Sequence, residues 1–227
     1  MTAMKNLSTT IQHTLVRPDA TIADIERVCR ECVSYHFDAV MVMPLFLATA
    51  RELLTDTDVK LATAVGFPMG GMTTAAKVFE VHEARRQGAQ QVDFMPALSW
   101  LKSGRRQRFL DDMRAVVEAA EGMPVKVMLE FGLLTADEKR IAAELAIEAG
   151  AAYLKNSSGW GQGGQATVAD IQFLKDIAQG RAKVKASGGI RTQVQALSLL
   201  EAGADLLGTS AGVQIVTGQP AAAKDAY

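Results

Sequence analysis

Short apolar runs alternate with longer amphipathic segments from one end of the 227-residue chain to the other. The short runs are continuous and rich in β-branched residues, as in Val125-Lys-Val-Met-Leu129, which is typical of parallel strands buried on both faces. The pattern predicts strands at 10–16, 39–43, 59–66, 91–96, 125–131, 152–155, 183–186 and 205–208. It predicts helices near 21–34, 46–54, 73–87, 105–121, 136–148, 167–178 and 192–202, and a last helix from about 211.

Turn and capping residues support this division. Gly88, Gly150 and Gly203 each end a helical segment just before an apolar run, as expected of a C-terminal glycine. Eight strand–helix units in succession favour a closed barrel over an open doubly wound sheet. The predicted fold is therefore α/β, a single (β/α)8 TIM barrel. We expect one domain over 1–227, with the barrel at about 10–218 and a short C-terminal tail at 219–227.

Charge and composition argue against several classes of function. The net charge is −1, with no long run of either sign, so neither a nucleic acid nor an anionic membrane surface is an expected partner. No stretch approaches the roughly 18 apolar residues of a membrane span, and we expect a soluble, cytoplasmic protein. Cys29 and Cys32 form a C-x-x-C at apolar helical positions, without a second pair to complete a metal site. We expect them to be small buried side chains, and we predict neither a metal nor a cofactor.

Charged residues occur in four successive predicted strands. Asp93 lies in the fourth, Lys126 and then Glu130 in the fifth, Lys155 at the end of the sixth and Lys185 in the seventh. A lysine in a short apolar strand is costly to desolvate unless it is paired or neutral. Active sites in this fold form at the C-terminal ends of the strands, which makes these residues catalytic candidates. Two other interpretations stay open: Lys126 could point outward between barrel and helices, and Asp93 could be a structural ion-pair partner.

Lys155 and Lys185 together favour Schiff-base chemistry. A free lysine, with a pKa of about 10.4, is protonated at neutral pH and cannot attack a carbonyl. Burial and a second cation both lower that pKa and free the amine. Adjacent strands bring the two lysines together, and a nearby carboxylate can transfer protons. We expect Lys155 to be the nucleophile.

Glycine-containing turns follow the seventh and eighth predicted strands. They are Ser187-Gly-Gly-Ile-Arg-Thr192 and Gly208-Thr-Ser-Ala211. Barrel enzymes often bind phosphate with the loops after these two strands, and glycine lets the backbone approach an anion closely. The sequence therefore predicts a small phosphorylated substrate.

Five characteristic sets of residues follow one another along the chain. They are His13-Thr-Leu15 with Pro18-Asp-Ala-Thr21, Val65-Gly-Phe-Pro68, Leu101-Lys-Ser-Gly104, Leu129-Glu130 with Leu134-Thr135, and Val184-Lys-Ala-Ser-Gly-Gly-Ile-Arg-Thr192. With these motifs the chain resembles, from about residue 11 to about 213, the deoxyribose-phosphate aldolase family of class I aldolases. The resemblance implies a metal-independent barrel enzyme that forms a homodimer. It also implies reversible cleavage of 2-deoxy-D-ribose 5-phosphate to acetaldehyde and D-glyceraldehyde 3-phosphate.

The resemblance assigns roles to individual residues. Lys155 matches the Schiff-base lysine, Lys185 the second lysine that lowers its pKa and relays protons, and Asp93 the proton-relay carboxylate. Lys126 belongs to the catalytic neighbourhood, and some members use a C-terminal tyrosine in proton transfer, a position that Tyr227 would fill. The positions that match the phosphate site are Gly159, Gly188, Gly189, Arg191, Gly208 and Ser210.

Several positions depart from the family pattern. Gln12 replaces an aspartate beside the active site, Asn156 replaces the threonine after the nucleophile, and Met41 and Met43 replace Cys and Asn or Tyr on the second strand. These changes leave open a lysine-dependent aldolase or lyase that acts on a different phosphorylated substrate. A barrel that binds a sugar phosphate without catalysis is a further alternative, although such a protein has no need for a neutral amine.

Overall fold

A computed structural model describes residues 7–161 and 163–219 of the chain. Eight parallel strands form a closed barrel in which each strand pairs with the next one in the chain, and the eighth pairs with the first. The predicted (β/α)8 TIM barrel is confirmed. The strands are β1 (Ile11–Leu15), β2 (Ala39–Val42), β3 (Lys60–Val65), β4 (Gln91–Phe94), β5 (Val125–Met128), β6 (Tyr153–Lys155), β7 (Lys183–Ser187) and β8 (Leu206–Thr209).

Helices connect the strands and cover the outside of the barrel. They are α1 (Ile22–Tyr35), α2 (Leu47–Leu53), α3 (Thr74–Arg86), α4 (Leu98–Lys102), α5 (Arg106–Ala119), α6 (Ala136–Glu148), α7 (Val168–Ala178), α8 (Gln193–Glu201) and α9 (Gly212–Thr217). Outward side chains of the strands, such as Val40, Val92 and Leu154, are buried in one large apolar cluster with the helices. Burying a side chain of this kind contributes about 1.5–3 kcal/mol, so this layer holds the strand ends, and hence the site, in place.

The structure corrects the sequence prediction at three places. The helix predicted near 46–54 is preceded by a 3-10 turn, Pro44–Phe46, and a short helix, α4, precedes α5. The strand predicted at 125–131 ends at Met128, because Glu130 adopts a left-handed conformation with φ 47° and a 3-10 turn, Phe131–Leu133, follows. Glu130 therefore lies beyond the strand, in the loop that leads to α6.

The C-x-x-C lies on α1, as predicted. Thr21 and Asp24 form a complete capping box that fixes the start of this helix. Cys29 and Cys32 are both buried and free. Burial raises the pKa of the Cys29 thiol to about 11 and that of Cys32 well above its usual value, so both remain protonated and pack as small apolar side chains.

Candidate active site

Strand alternation places four charged side chains inside the barrel. Asp93 on β4 is the register partner of Lys126 on β5, and Lys155 on β6 is the partner of Lys185 on β7. All four are buried, with exposed fractions between 0% and 5%. We call Asp93, Lys126, Lys155 and Lys185 the lysine–aspartate cluster. The outward orientation considered for Lys126 is wrong, because this side chain lies against Asp93.

The three lysines of the cluster share the carboxylate of Asp93. Lys155 Nζ and Lys185 Nζ each donate a hydrogen bond to Oδ2 over 2.7 Å. Lys126 Nζ lies 3.4 Å from Oδ1, within ion-pair distance but without a hydrogen bond. One carboxylate opposite three amines leaves the group with too little negative charge to neutralise three cations. The arrangement therefore favours a neutral form for part of the cluster.

Burial and charge act in opposite directions on these groups. Burial lowers the pKa of Lys185 well below its ordinary value, with Asp93 opposing the shift and Lys155 and Lys126 adding to it. The pKa of Lys126 is also lowered, chiefly by burial. Burial alone would raise the pKa of Asp93, but the three lysines outweigh it and hold that pKa well below its usual range. The carboxylate thus stays ionised, while deprotonation of a buried amine becomes easier.

Gln12 on β1 connects this cluster to the other end of the barrel. Its Oε1 accepts a hydrogen bond from Lys185 Nζ over 2.6 Å. Its Nε2 donates to Oδ2 of Asp38 and to Oε1 of Gln91, both over 2.8 Å. A neutral amide therefore stands where the sequence resemblance expects an aspartate, and it contacts Lys185 without adding a negative charge.

The glycine turns surround a cavity of about 220 Å³, which we call the glycine cavity. A Cβ on Gly208 would lie 3.0 Å from Cε of Lys185, so the cavity borders the cluster directly. Gly188 and Gly189 have φ values of 102° and 69°, which only glycine adopts without strain. All six predicted phosphate-binding residues line the cavity, together with five that the sequence prediction missed: Gly161, Gly164, Gln165, Ile190 and Thr209.

The loop after β6 forms one side of this cavity. Asn156 donates from Nδ2 to the carbonyl oxygen of Ser187 over 3.0 Å and accepts from its N–H at Oδ1 over 2.9 Å. This pair of hydrogen bonds joins the loop to the end of β7. Trp160 in the same loop makes an edge-on contact with Phe67 of the β3 loop, at 5.9 Å between ring centroids. Asn156 and Trp160 thus hold the loop from two sides.

Glu130 is a buried carboxylate near the site whose contacts the sequence prediction missed. Its exposed fraction is 2%, and its Oε1 accepts a hydrogen bond from the backbone N–H of Ser158. Burial raises its pKa, while Ser158 and Lys155 oppose that shift. The signal in the sequence is an acidic residue directly after an apolar strand, which is the position where barrel enzymes place functional side chains.

Three further predictions concern metals, membranes and the tail. Within the described ranges, no group of three or more His, Cys, Asp or Glu side chains is arranged to hold a metal ion. No helix in the part of the chain that the structure describes is long and apolar enough to cross a membrane. Tyr227 lies outside the described residues, so its role in proton transfer stays a prediction.

Comparison with known proteins agrees with this geometry. Residues 7–218 match the family model of the DeoC/LacD family aldolases. A deoxyribose-phosphate aldolase of Dictyoglomus turgidum is 46% identical over 212 residues, which cover 93% of this chain and 96% of the relative. The enzyme of the same name from Carboxydothermus hydrogenoformans is 44% identical over 222 residues, or 96% and 97% of the two chains.

A solved structure shows the same architecture. The deoxyribose phosphate aldolase of Aeropyrum pernix, described as a tetramer, superposes with a TM-score of 0.89 at 28% identity. The match covers 96% of this chain and 92% of that one. The predicted resemblance is confirmed: the chain belongs to the DeoC/LacD family of aldolases.

Proposed function

We propose that this protein is a class I aldolase that reversibly cleaves 2-deoxy-D-ribose 5-phosphate to acetaldehyde and D-glyceraldehyde 3-phosphate. The observation that carries the proposal is that the lysine–aspartate cluster and the glycine cavity lie next to each other. Two buried lysine amines share one carboxylate oxygen, and the glycine cavity begins next to Lys185. Relatives that are 44–46% identical over more than nine-tenths of this chain bear the name of this activity.

Lys155 is the nucleophile of the proposed reaction. Its neutral amine adds to the aldehyde carbon C1 of the open-chain sugar, and the carbinolamine loses water to give a protonated imine. The C2–C3 bond then breaks, and its electron pair moves into the imine to form an enamine. The C3 hydroxyl gives its proton to the Asp93–Lys185 pair as the carbonyl of glyceraldehyde 3-phosphate forms. Because the iminium accepts the electron pair, these steps do not require a metal ion.

Asp93 and Lys185 transfer the protons. Asp93 Oδ2 lies 2.7 Å from the Nζ atoms of both Lys155 and Lys185, so the carboxylate contacts the nucleophile and links it to Lys185. A buried amine with a lowered pKa gives up its proton more easily than an ordinary lysine. The pair can therefore protonate the carbinolamine hydroxyl as it leaves and later protonate C2 of the enamine. Lys126 helps to keep Asp93 ionised. In the last step, hydrolysis of the imine releases acetaldehyde and restores the free amine of Lys155.

The phosphate binds in the glycine cavity. The turns after β7 and β8 line this cavity with backbone N–H groups that can bind an anion, and Arg191 supplies a positive charge. The phosphate then lies beside Lys185, and the aldehyde end of the sugar reaches Lys155. Binding of the remote phosphate orients the carbon chain for attack, which is how distant binding energy accelerates a reaction.

Borohydride trapping tests this function. The protein is incubated with acetaldehyde and reduced, and the adduct is located by mass spectrometry. We expect a reduced ethyl adduct on Lys155, together with turnover of 2-deoxyribose 5-phosphate. The Lys155→Ala variant should lose both, whereas Lys175→Ala, at an exposed position of α7, should keep both. A wild-type protein without the adduct would contradict the aldolase function.

A second candidate is a lysine-dependent aldolase for a different phosphorylated substrate. It is favoured by Gln12 in contact with Lys185 and by Met41 inside the barrel, since both differ from the family pattern. Both candidates predict the adduct with acetaldehyde. Failure to turn over 2-deoxyribose 5-phosphate, in a protein that forms the adduct, would favour the second candidate.

We further propose that the chain is a single cytoplasmic domain over 1–227 that forms a homodimer. Supporting a dimer, large apolar side chains are exposed on the side of β2 and β3: Leu45 by 82%, Met69 by 83% and Phe79 by 69%. Light scattering after size-exclusion chromatography measures the assembly. A mass of one or four chains would contradict the dimer, and four would match the description of the Aeropyrum pernix protein.

A further inference from the structure

Glu130 is a buried carboxylate that the proposed reaction does not use. It follows β5 and keeps a left-handed conformation, with φ 47° and ψ 57°, which is uncommon for a residue with a side chain. Two backbone hydrogen bonds hold the surrounding turn to the strand and loop of the nucleophile. Leu129 N–H donates to the carbonyl oxygen of Lys155 over 2.8 Å, and Phe131 N–H to that of Asn156 over 2.9 Å.

The carboxylate of Glu130 contacts the loop that follows β6, residues 156–167, at two places. Oε1 accepts the N–H of Ser158 near the start of this loop. Near its end, Gly163 packs so closely that an added Cβ would overlap Oε2 and would lie 2.6 Å from Cδ of Glu130. Gly132 N–H also donates to the carbonyl oxygen of Gly163 over 3.1 Å. The carboxylate of Glu130 therefore lies between Ser158 and Gly163 and contacts both parts of the loop.

The same loop contacts the turn after β7 and forms part of the wall of the glycine cavity. Ser157 Oγ donates to the carbonyl oxygen of Gly164 over 2.9 Å, and Ala166 N–H donates to that of Gly188 over 2.9 Å. A Cβ on Gly188 would lie 2.6 Å from the Gly164 oxygen, so the two segments pack without spare room. The loop supplies four of the residues that line the cavity: Gly159, Gly161, Gly164 and Gln165.

We propose that Glu130 is a positioning residue that shapes the phosphate-binding part of the site through the 156–167 loop. This inference rests on the proposed function, because it assigns the glycine cavity to the substrate phosphate. Glu130 makes no hydrogen bond to a lysine of the cluster among the described residues, so its effect is on binding of the phosphate end and not on formation of the imine.

Kinetics with two substrates separate these effects. We compare kcat/KM for 2-deoxyribose 5-phosphate with kcat/KM for unphosphorylated 2-deoxyribose. Glu130→Leu removes the acceptor for Ser158, and we expect the ratio to fall about tenfold to a hundredfold, mainly through KM of the phosphorylated sugar. Glu130→Gln keeps a carbonyl acceptor of the same length and should restore most of the ratio. Glu144→Ala, on an exposed face of α6, is the matched control and should leave the ratio unchanged.

A double-mutant cycle tests the contact with Gly163. Gly163→Ala should lower the ratio because its methyl group meets the carboxylate. In the Glu130→Ala background, Gly163→Ala should lower the ratio much less, because the carboxylate atoms that the methyl group would meet are absent. Additive losses, equal losses for both sugars, or a Gln variant as impaired as the Leu variant would each overturn the proposal. Acetaldehyde trapping on Lys155 should persist in all these variants.

Titration with inorganic phosphate gives a readout that needs no catalysis. Trp160 lies in the loop, so we follow its fluorescence and expect weaker phosphate binding by Glu130→Leu than by the wild type. Equal affinities, or no binding by the wild type, would overturn the inference about Glu130. A wild type that binds phosphate but forms no acetaldehyde adduct would instead contradict the proposed function.

Discussion

The interior of the barrel has two sides of opposite character. On one side, Ala39 and Met41 of β2 and Ala62 of β3 form a small apolar cluster with Val16, separate from the main core. On the other side, β4 to β7 carry the lysine–aspartate cluster. Both sides are equally buried, so their difference is one of charge and not of solvent access.

This comparison explains how the site favours neutral amines. An amine keeps its proton in a buried place only if other groups solvate the charge. The apolar side offers no carboxylate, and on the charged side three lysines share Asp93. Gln12 of β1 adds a hydrogen-bond acceptor but no charge. The pKa of Lys185 is therefore lowered by its own burial and by neighbouring cations.

The largest effect should come from removing the shared carboxylate with Asp93→Asn. Breaking a buried ion cluster by deleting one partner costs about 3–5 kcal/mol. Loss of a proton-transfer group should lower kcat by about 100-fold or more. The pKa of Asp93 is held below its usual range. The stabilising contribution of this carboxylate to the free energy of unfolding is therefore fully present above about pH 3.9 and is lost only as the pH falls below that value.

Urea unfolding and steady-state kinetics measure the two effects of this variant. Asp111→Asn, at an exposed position of α5, is the control and should change neither quantity. An Asp93→Asn protein with wild-type kcat would remove Asp93 from the proton relay.

Lys185→Met places an apolar side chain on β7. It should reduce activity strongly and stability only moderately. We expect kcat/KM to fall about 100-fold, because a proton-transfer group is lost. We expect a smaller loss of stability than for Asp93→Asn, about 1–3 kcal/mol at neutral pH, because Met takes a hydrogen-bond donor away from Asp93 and Gln12 but also removes a buried amine that resists protonation.

The sign of the pH dependence follows from the lowered pKa of Lys185. Its contribution to stability is present above the unfolded pKa of about 10.4 and is lost as the pH falls through its folded pKa. The loss of stability caused by Lys185→Met should therefore grow as the pH rises from 7 towards 10. Unfolding by urea at several pH values measures the difference in the free energy of unfolding between the variant and the wild type. Lys175→Met is the exposed control. A loss of stability that stays constant between pH 7 and pH 10 would contradict this account.

Gln12→Glu adds a negative charge to the charged side at nearly constant volume. A carboxylate 2.6 Å from Lys185 Nζ should stabilise the cation and raise the pKa of that lysine. We expect about a tenfold loss of kcat/KM at neutral pH, partly recovered at higher pH. The pH profile of kcat/KM tests this, and Gln90→Glu at the exposed end of the barrel is the control. An unchanged profile would mean that the neutral amide has no role in tuning the site.

Met41→Gln places a polar group on the apolar side and should have the smallest effect on activity, a few-fold in kcat. The cost in stability should be about 1–3 kcal/mol, since a buried amide there packs against the apolar side chains of this cluster. Met41→Leu keeps the side apolar and should cost less than about 1.5 kcal/mol. Thermal or urea unfolding compares the two variants. Equal stabilities would show that the apolar character of this side is unimportant.

Much of the candidate site could be predicted because it depends on local order along the chain. Asp93, Lys155 and Lys185 each lie within or at the end of an apolar strand, and the glycine turns follow the strands where barrels bind phosphate. The position of Glu130 was harder to predict. An apolar run that continues to Phe131 does not reveal that the backbone turns at Glu130 into a left-handed conformation.

The sequence by itself determined the barrel, because apolar periodicity and helix-terminating glycines act over a few residues. It also determined which strands carry the lysines. Only the tertiary structure decided that Lys126 points inward and that Gln12 contacts Lys185, a residue 173 positions away. These contacts depend on closure of the sheet, which pairs β1 with β8 and brings distant strands across one interior. The same closure removes water, and the lowered pKa of the buried amines follows from it.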